Sequence, residues 1–253
     1  MIKKIRQRLL KTFEAIDFVE DTHTYYLNGE QLPSVSSLLK NFYEEFDSYN
    51  IGIKYAGKMN LNPEDVWKAW GGNNKLATDK GHRVHLFGEN YARWRYFGIG
   101  DKPEVNCKQT LGIVQFYNHI PEYLVPVGIE LMMYSEEFGY SGTCDGLFLD
   151  TRNNTLVLYD YKTNQELFGD SKPLFHVNES FNLLQNNYGK YCLQFSYYQL
   201  LLQLQGFKVS GRVLVWLDED KDNKKLYKTF KTPDLTQELI RLKHVWSPLF
   251  KKK

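Results

Sequence analysis

At 253 residues, 42% of them hydrophobic and 25% charged, the chain can bury one sizeable core with room for a helical appendage. A formal charge of +2 excludes a globally basic chain, and no run is long or apolar enough to cross a membrane. Three scattered cysteines, Cys107, Cys144 and Cys192, argue against a disulfide framework, fit a reducing compartment and exclude a four-cysteine iron–sulfur cluster supplied by this chain alone.

Basic residues cluster locally. Lys3, Lys4, Arg6, Arg8 and Lys11 open the chain, Lys221, Lys224, Lys225 and Lys228 gather around a turn, and Lys251 to Lys253 close it. Such patches steer a polyanion or are simply solvated. Met1 to Lys11 lacks the apolar core of a signal peptide, although a transit peptide stays open. Most of the 18 tyrosines and 16 phenylalanines are expected in the core, with a few left to stack on unpaired bases.

Residues 12–33 carry a hairpin pattern in which Asn28-Gly29 suits a type I′ turn. Ser34 or Ser36 caps a predicted helix bearing Leu38, Leu39, Phe42 and Phe46. A second helix starts at Asn62-Pro63, carries Val66, Trp67 and Trp70, and is expected to stop at Gly71-Gly72. A longer one spans about 76–97 and contains Gly81 and His85, one turn apart on nearly the same face. Glycine inside a helix costs about 1 kcal/mol, which points to close approach of a backbone or ligand at Gly81. Residues 107–120 form a further amphipathic helix.

The sheet begins with a strand over 125–134, which is expected to put Val127, Ile129, Leu131 and Met133 on one face. Glu130 then points from the other, as a metal ligand or a solvent-facing residue. A central hairpin follows, 142–150 and 156–162, joined by the polar turn 151–154. Leu156, Leu158, Asp160 and Lys162 share one face of its second strand, and Val157, Tyr159 and Tyr161 the other. With a symmetric four-residue turn Asp145 faces Asp160, their β-carbons roughly 5 Å apart. A two-residue turn sets Asp145 opposite Lys162 instead. In either register two carboxylates and an ammonium share a face, a set suited to a hard divalent cation beside a scissile phosphate.

Downstream, 163–178 is polar and turn-rich. A long helix from about 181 to 204 carries the stripe Leu193, Tyr197, Leu200, Leu201 and Leu204, with Gln194 and Tyr198 on an adjacent face, and Gly206 ends it. Two strands, 212–217 and 226–230, and a helix from Thr232-Pro233 to about Val245 complete the chain.

In order, Gly81-xxx-His85, Glu130, Gly-x-x-Asp145, Asp160-x-Lys162 and Gln194-xxx-Tyr198 resemble the PD-(D/E)XK nuclease superfamily, specifically its RecB-type exonuclease branch. That branch includes phage recombination exonucleases, CRISPR-associated adaptation nucleases and the mitochondrial genome-maintenance exonuclease. The resemblance covers about residues 20–217, and the stretch 32–39 looks like the opening of phage-type members.

The resemblance implies an α/β, restriction-endonuclease-like core: a mixed central β-sheet flanked by helices, with an N-terminal helical elaboration. The whole chain, 1–253, reads as one domain, with the elaboration over 12–120 and the catalytic core over 121–250. By the same resemblance one or two Mg²⁺ or Mn²⁺ ions are held by His85, Asp145, Asp160, the Tyr161 carbonyl and Glu130. Lys162 assists the attacking water, while Gln194 and Tyr198 brace the active site and the DNA. Arg83, Arg93 and Arg95 are candidates to meet phosphates.

The implied activity is a metal-dependent deoxyribonuclease, an exonuclease acting on DNA ends in replication, recombination or repair. The alternatives are a structure-selective endonuclease and a catalytically inactive nucleic-acid-binding module. Implied partners are DNA and replication or recombination proteins, with no membrane, in the cytoplasm of a bacterial or phage-infected cell or in a mitochondrion. Cys144 replaces the proline of the superfamily's name and Asp160 its usual glutamate. The cysteine triplet of cluster-bearing relatives is absent, so no iron–sulfur cofactor is expected.

Overall fold

The computed structural model describes residues 1–217 and 224–246; Lys221 and the lysines at 251–253 lie outside them. The chain opens with a helix not anticipated from the basic pattern, α1 (Ile2–Thr12). Its arginines are anchors rather than loose charge. Arg6 donates to the Pro126 carbonyl at 2.7 Å and lies over the Phe97 ring, and Arg8 donates to the Gln205 carbonyl at 2.8 Å and lies over Phe207. A small antiparallel sheet follows, β1 (Ile16–Val19), β2 (Thr24–Leu27) and β3 (Glu30–Leu32). Asn28 and Gly29 both have positive φ, 52° and 82°, as a type I′ turn requires.

Helix α2 (Val35–Leu39) starts at Ser34, whose hydroxyl accepts the Ser37 N–H, and passes into a 3₁₀ turn over Lys40–Phe42. Phe46 falls beyond it and is 63% exposed. An unanticipated helix, α3 (Ser48–Met59), is capped by Asp47 and closed by Asn60 in the left-handed region. Helix α4 (Pro63–Ala92) is capped by Asn62 and runs on through Gly71-Gly72, merging two expected helices into one. Glycine stops a helix by taking a left-handed conformation, but here both ends of α4 are anchored. Val66 is buried where α3 packs, and Val84, Phe87 and Tyr91 are buried in the main body, which offsets the two glycines. A π turn, Arg93–Phe97, extends it. Helix α5 (Lys108–Asn118) begins with a capping box in which Cys107 is paired with Thr110.

Five strands form the main sheet in chain order: β4 (Leu124–Ser135), β5 (Tyr140–Asp150), β6 (Thr155–Lys162), β7 (Val209–Trp216) and β8 (Lys228–Lys231). Among the described strands of this sheet β6 and β7 pair in parallel and the other neighbours antiparallel, and α6 (Asn187–Leu204) makes the crossover between β6 and β7. A last helix, α7 (Thr236–Trp246), starts where Asp234 accepts the Thr236 N–H at 2.9 Å. This is a mixed α/β fold, with helices on both faces of a five-stranded mixed sheet. No described helix is long and apolar enough to cross a membrane.

The alternation expected along β6 is realised. Leu156 and Leu158 join the core beneath α1, α2, α6 and α7, while Val157, Tyr159 and Tyr161 join a second core beneath α4 and α5. The face expected for β4 is corrected. Val127, Leu131 and Met133 enter the first core, but Ile129 packs on the second. A bulge between Pro126 and Gly128, and a φ of +45° at Glu130, break the period of two. Helix α6 starts at Asn187 rather than near 181, because the Asn186 side chain caps it through the Gly189 N–H. It is buried beyond one stripe, since α2 and α7 cover the side away from the sheet.

Candidate metal centre and cleft

The hairpin uses the symmetric four-residue turn. Asp150 pairs with Thr155, and the ladder runs to Gly146–Tyr159. It ends there, one step short of Asp145–Asp160. In place of a next rung, an Asp145 carboxylate oxygen accepts the Tyr161 backbone N–H at 2.6 Å, and the other lies 3.1 Å from His85 Nδ1. Glu130 sits opposite Asp145 in the register, between the pairs Ile129–Gly146 and Leu131–Cys144, and its positive φ re-aims the side chain. One ligand atom each from His85, Glu130 and Asp145 converge within 4.8 Å of one another. Two ligand atoms about 2.1 Å from an octahedral ion stand about 3 Å apart at right angles and at most about 4.2 Å apart, so donors spread over up to 4.8 Å would draw together around an ion.

These groups line an open cleft of about 700 Å³ together with Asp160, Lys162, Gln194, Tyr198 and Arg83. Asp160 is not a member of the converging group; its Oδ1 lies 2.5 Å from Lys162 Nζ. The Lys162 ammonium also sits 4.6 Å from the Tyr191 ring centroid. Tyr191 was not singled out from the sequence, although spacings of three and four place it on one α6 face with Gln194 and Tyr198. Gln194 donates to the Tyr198 hydroxyl at 3.0 Å, and its own buried carbonyl oxygen has no hydrogen-bond partner among the described residues.

Of the three arginines expected to meet phosphates, Arg83 lines the cleft. Arg93 pairs with Glu89 at 2.7 Å, and Arg95 donates to Asn118 and to the Tyr91 hydroxyl over the second core. The close approach expected at Gly81 is found about two turns further along the same face of α4, at Gly88. A Cβ at Gly81 would meet Thr163 Oγ1 at an ordinary 3.6 Å, whereas one at Gly88 would lie 2.6 Å from the Tyr161 ring.

Electrostatically the cleft is short of positive charge. Burial, then Asp145, Glu89 and Asp160, push the Glu130 carboxyl up to about 9, against Arg93. Burial and Asp145 push Asp160 up to about 6, against Lys162 and His85. Asp145 is held below its ordinary value despite burial, by His85, Lys162 and the Tyr161 N–H. Burial pulls the His85 imidazole down, but Asp145 and Asp160 together reverse this and leave it raised. Carboxyls that must take up protons when crowded would release them to a divalent cation. The triad can therefore hold a metal ion, on donor convergence and on charge.

No protein-family model and no curated protein matches the chain. Among solved structures it is similar to a protein named "Putative exonuclease" from Eubacterium rectale, at 15% identity and a TM-score of 0.38 over 66% of each chain. The match thus spans just under two thirds of that protein's length.

Proposed function

We propose that this protein is a metal-dependent deoxyribonuclease that hydrolyses phosphodiester bonds from DNA ends. The observation that carries this reading is the convergence of His85, Glu130 and Asp145 in one open cleft with the Asp160–Lys162 pair. A bound Mg²⁺ or Mn²⁺ would supply Lewis acidity and an activated water. The imidazole in the donor set favours Mn²⁺ over an ion that takes oxygen ligands alone.

The chain's own groups do the rest. Tyr161 N–H fixes the Asp145 carboxylate, so its other oxygen faces His85. Asp160 holds the Lys162 ammonium in the cleft, where it orients the attacking water and offsets charge building on the phosphate. Gln194 and Tyr198 form a hydrogen-bonded wall, and Arg83 meets a flanking phosphate. Phosphate diester, divalent cation and ammonium are then brought together without a covalent enzyme intermediate.

The test is a time course on linear DNA labelled at either end, and on a circular strand, with Mn²⁺ and with EDTA. Mn²⁺-dependent loss of end label with the circle intact is the expected result. No cleavage with Mn²⁺ or Mg²⁺ would overturn the reading, and a circle cut as fast as a linear strand would make the enzyme an endonuclease.

A further inference from the structure

A second concavity lies where α3 meets the first half of α4, a notch of about 420 Å³ lined by Phe46, Trp67, Trp70, Asn73 and Asn74. It is built around aromatic rings that the core does not use. Trp67 stacks on Tyr49 at 5.2 Å and 16°, and its indole N–H donates to the Ser48 carbonyl at 3.0 Å. Gly52 makes this possible, because a Cβ there would lie 2.1 Å from that nitrogen. Trp70 is met by Phe46 and Tyr55 at 56° and 53°, tilted rather than stacked. Phe46 is 63% exposed and Tyr49 62%. Aromatic rings lining an open notch, beside side-chain amides that both donate and accept, have the composition of a site for a flat heterocycle.

The notch is joined to the metal centre by one helix face. Trp67, Trp70 and Asn74 line the notch, and Thr78, Gly81 and His85 line the cleft. Their spacings of three or four residues make a single stripe along α4. Between the two ends the stripe bears only small side chains, which leaves a track. From Trp70 to His85 it rises about 22 Å. Exposed Lys68 and Lys75 lie on its flank, together with the acidic Asp79.

We propose that this notch stacks an unpaired nucleobase of the strand whose phosphates reach the cleft, so that the substrate is single-stranded DNA or a frayed end. The assignment rests on the nuclease reading for its choice of ligand. Stacking on an aromatic ring is tolerant of base identity and needs an unpaired base, because a paired one presents only its edges.

The experiment uses the full chain in EDTA, without cleavage, and follows the fluorescence anisotropy of a labelled oligo-dT strand of about twenty nucleotides, longer than ordinary single-strand site sizes. The expected result is saturable binding that a blunt duplex competes for poorly. Trp70→Ala should weaken it at least about fivefold, and Trp70→Phe should recover most of the loss. Should Trp70→Ala not fold, Phe46→Ala, at an exposed ring of the same notch, reads the same contact. Equal competition by duplex, or unchanged affinity in folded Trp70→Ala and Phe46→Ala, would overturn the proposal. So would a dimer that Trp70→Ala dissociates, which would place a second copy in the notch. Strand binding with no cleavage in Mn²⁺ would end the nuclease reading and leave the notch; cleavage with unchanged binding by Trp70→Ala would do the reverse.

Discussion

Asp145 and Tyr161 are joined by a 2.6 Å hydrogen bond from the backbone N–H of one to the carboxylate of the other, just past the last rung of the β5–β6 ladder. A side chain takes the place of a backbone carbonyl. The strands can part there and open the cleft without leaving a buried N–H unpaired. The same bond fixes the carboxylate that His85 meets from α4.

Asp145→Asn keeps an oxygen for Tyr161 but removes the charge facing His85. Mn²⁺ affinity measured by isothermal titration should fall at least about tenfold, equivalent to 1.4 kcal/mol. Folding, checked by circular dichroism, should persist. Undiminished metal affinity would remove Asp145 from the centre.

Lys162→Ala strips the partner from a buried Asp160, whose side chain is 3% exposed. Stability to urea should drop by about 3 kcal/mol, and cleavage by at least about 100-fold. Combining Lys162→Met with Asp160→Asn removes both charges and should restore much of the stability without restoring cleavage. Recovery of cleavage in that double variant would show that the ammonium has only a structural role.

The metal-free protein should lose stability as pH rises from about 5 to 8. His85, Asp160 and Glu130 all have folded-state pKa values above their ordinary ones, with Asp160 at about 6 and Glu130 at about 9. Each binds its proton more tightly when folded. Its contribution is complete below the unfolded pKa and fades as pH passes the folded one. Asp145 has the opposite sign, but its pKa is lowered, so its window lies below pH 4. A cation replaces those protons, so the rise in Tm on adding Mn²⁺ should grow with pH. Thermal melts at pH 5 and pH 8, with and without Mn²⁺, check both trends; a flat metal-free Tm would refute the first.

Gly88→Ala and Gly81→Ala should differ in sign. The added methyl at residue 88 would meet the Tyr161 ring at 2.6 Å, inside a core with no room to yield, at a cost of about 1–3 kcal/mol. At residue 81 the nearest atom is Thr163 Oγ1 at 3.6 Å, so alanine should stabilise α4 by about 0.5–1 kcal/mol. Denaturation midpoints of the two variants test this directly.

Local pattern alone determined much of this protein. The turn at Asn28-Gly29, the cap at Asn62 and the two faces of β6 were legible, because each depends on neighbours within a few residues, whereas the choice between Ser34 and Ser36 as cap and between a four- and a two-residue hairpin turn fell to the structure. The set His85, Glu130, Asp145, Asp160 and Lys162 came from a resemblance of ordered motifs rather than from local pattern, and the fold brings all five side chains to line one cleft. Tertiary packing decided the rest. Only anchoring at both ends carries α4 through Gly71-Gly72, and that continuity puts Trp70 and His85 on one helix face. Only the partner strand shows that Glu130 breaks the alternation of β4 and faces Asp145. Charge by itself could not separate Arg83, in the cleft, from Arg95, spent on Tyr91 and Asn118. A periodicity reports which way a side chain leaves its own backbone; what it meets there depends on distant segments, as far as from Arg8 to Gln205.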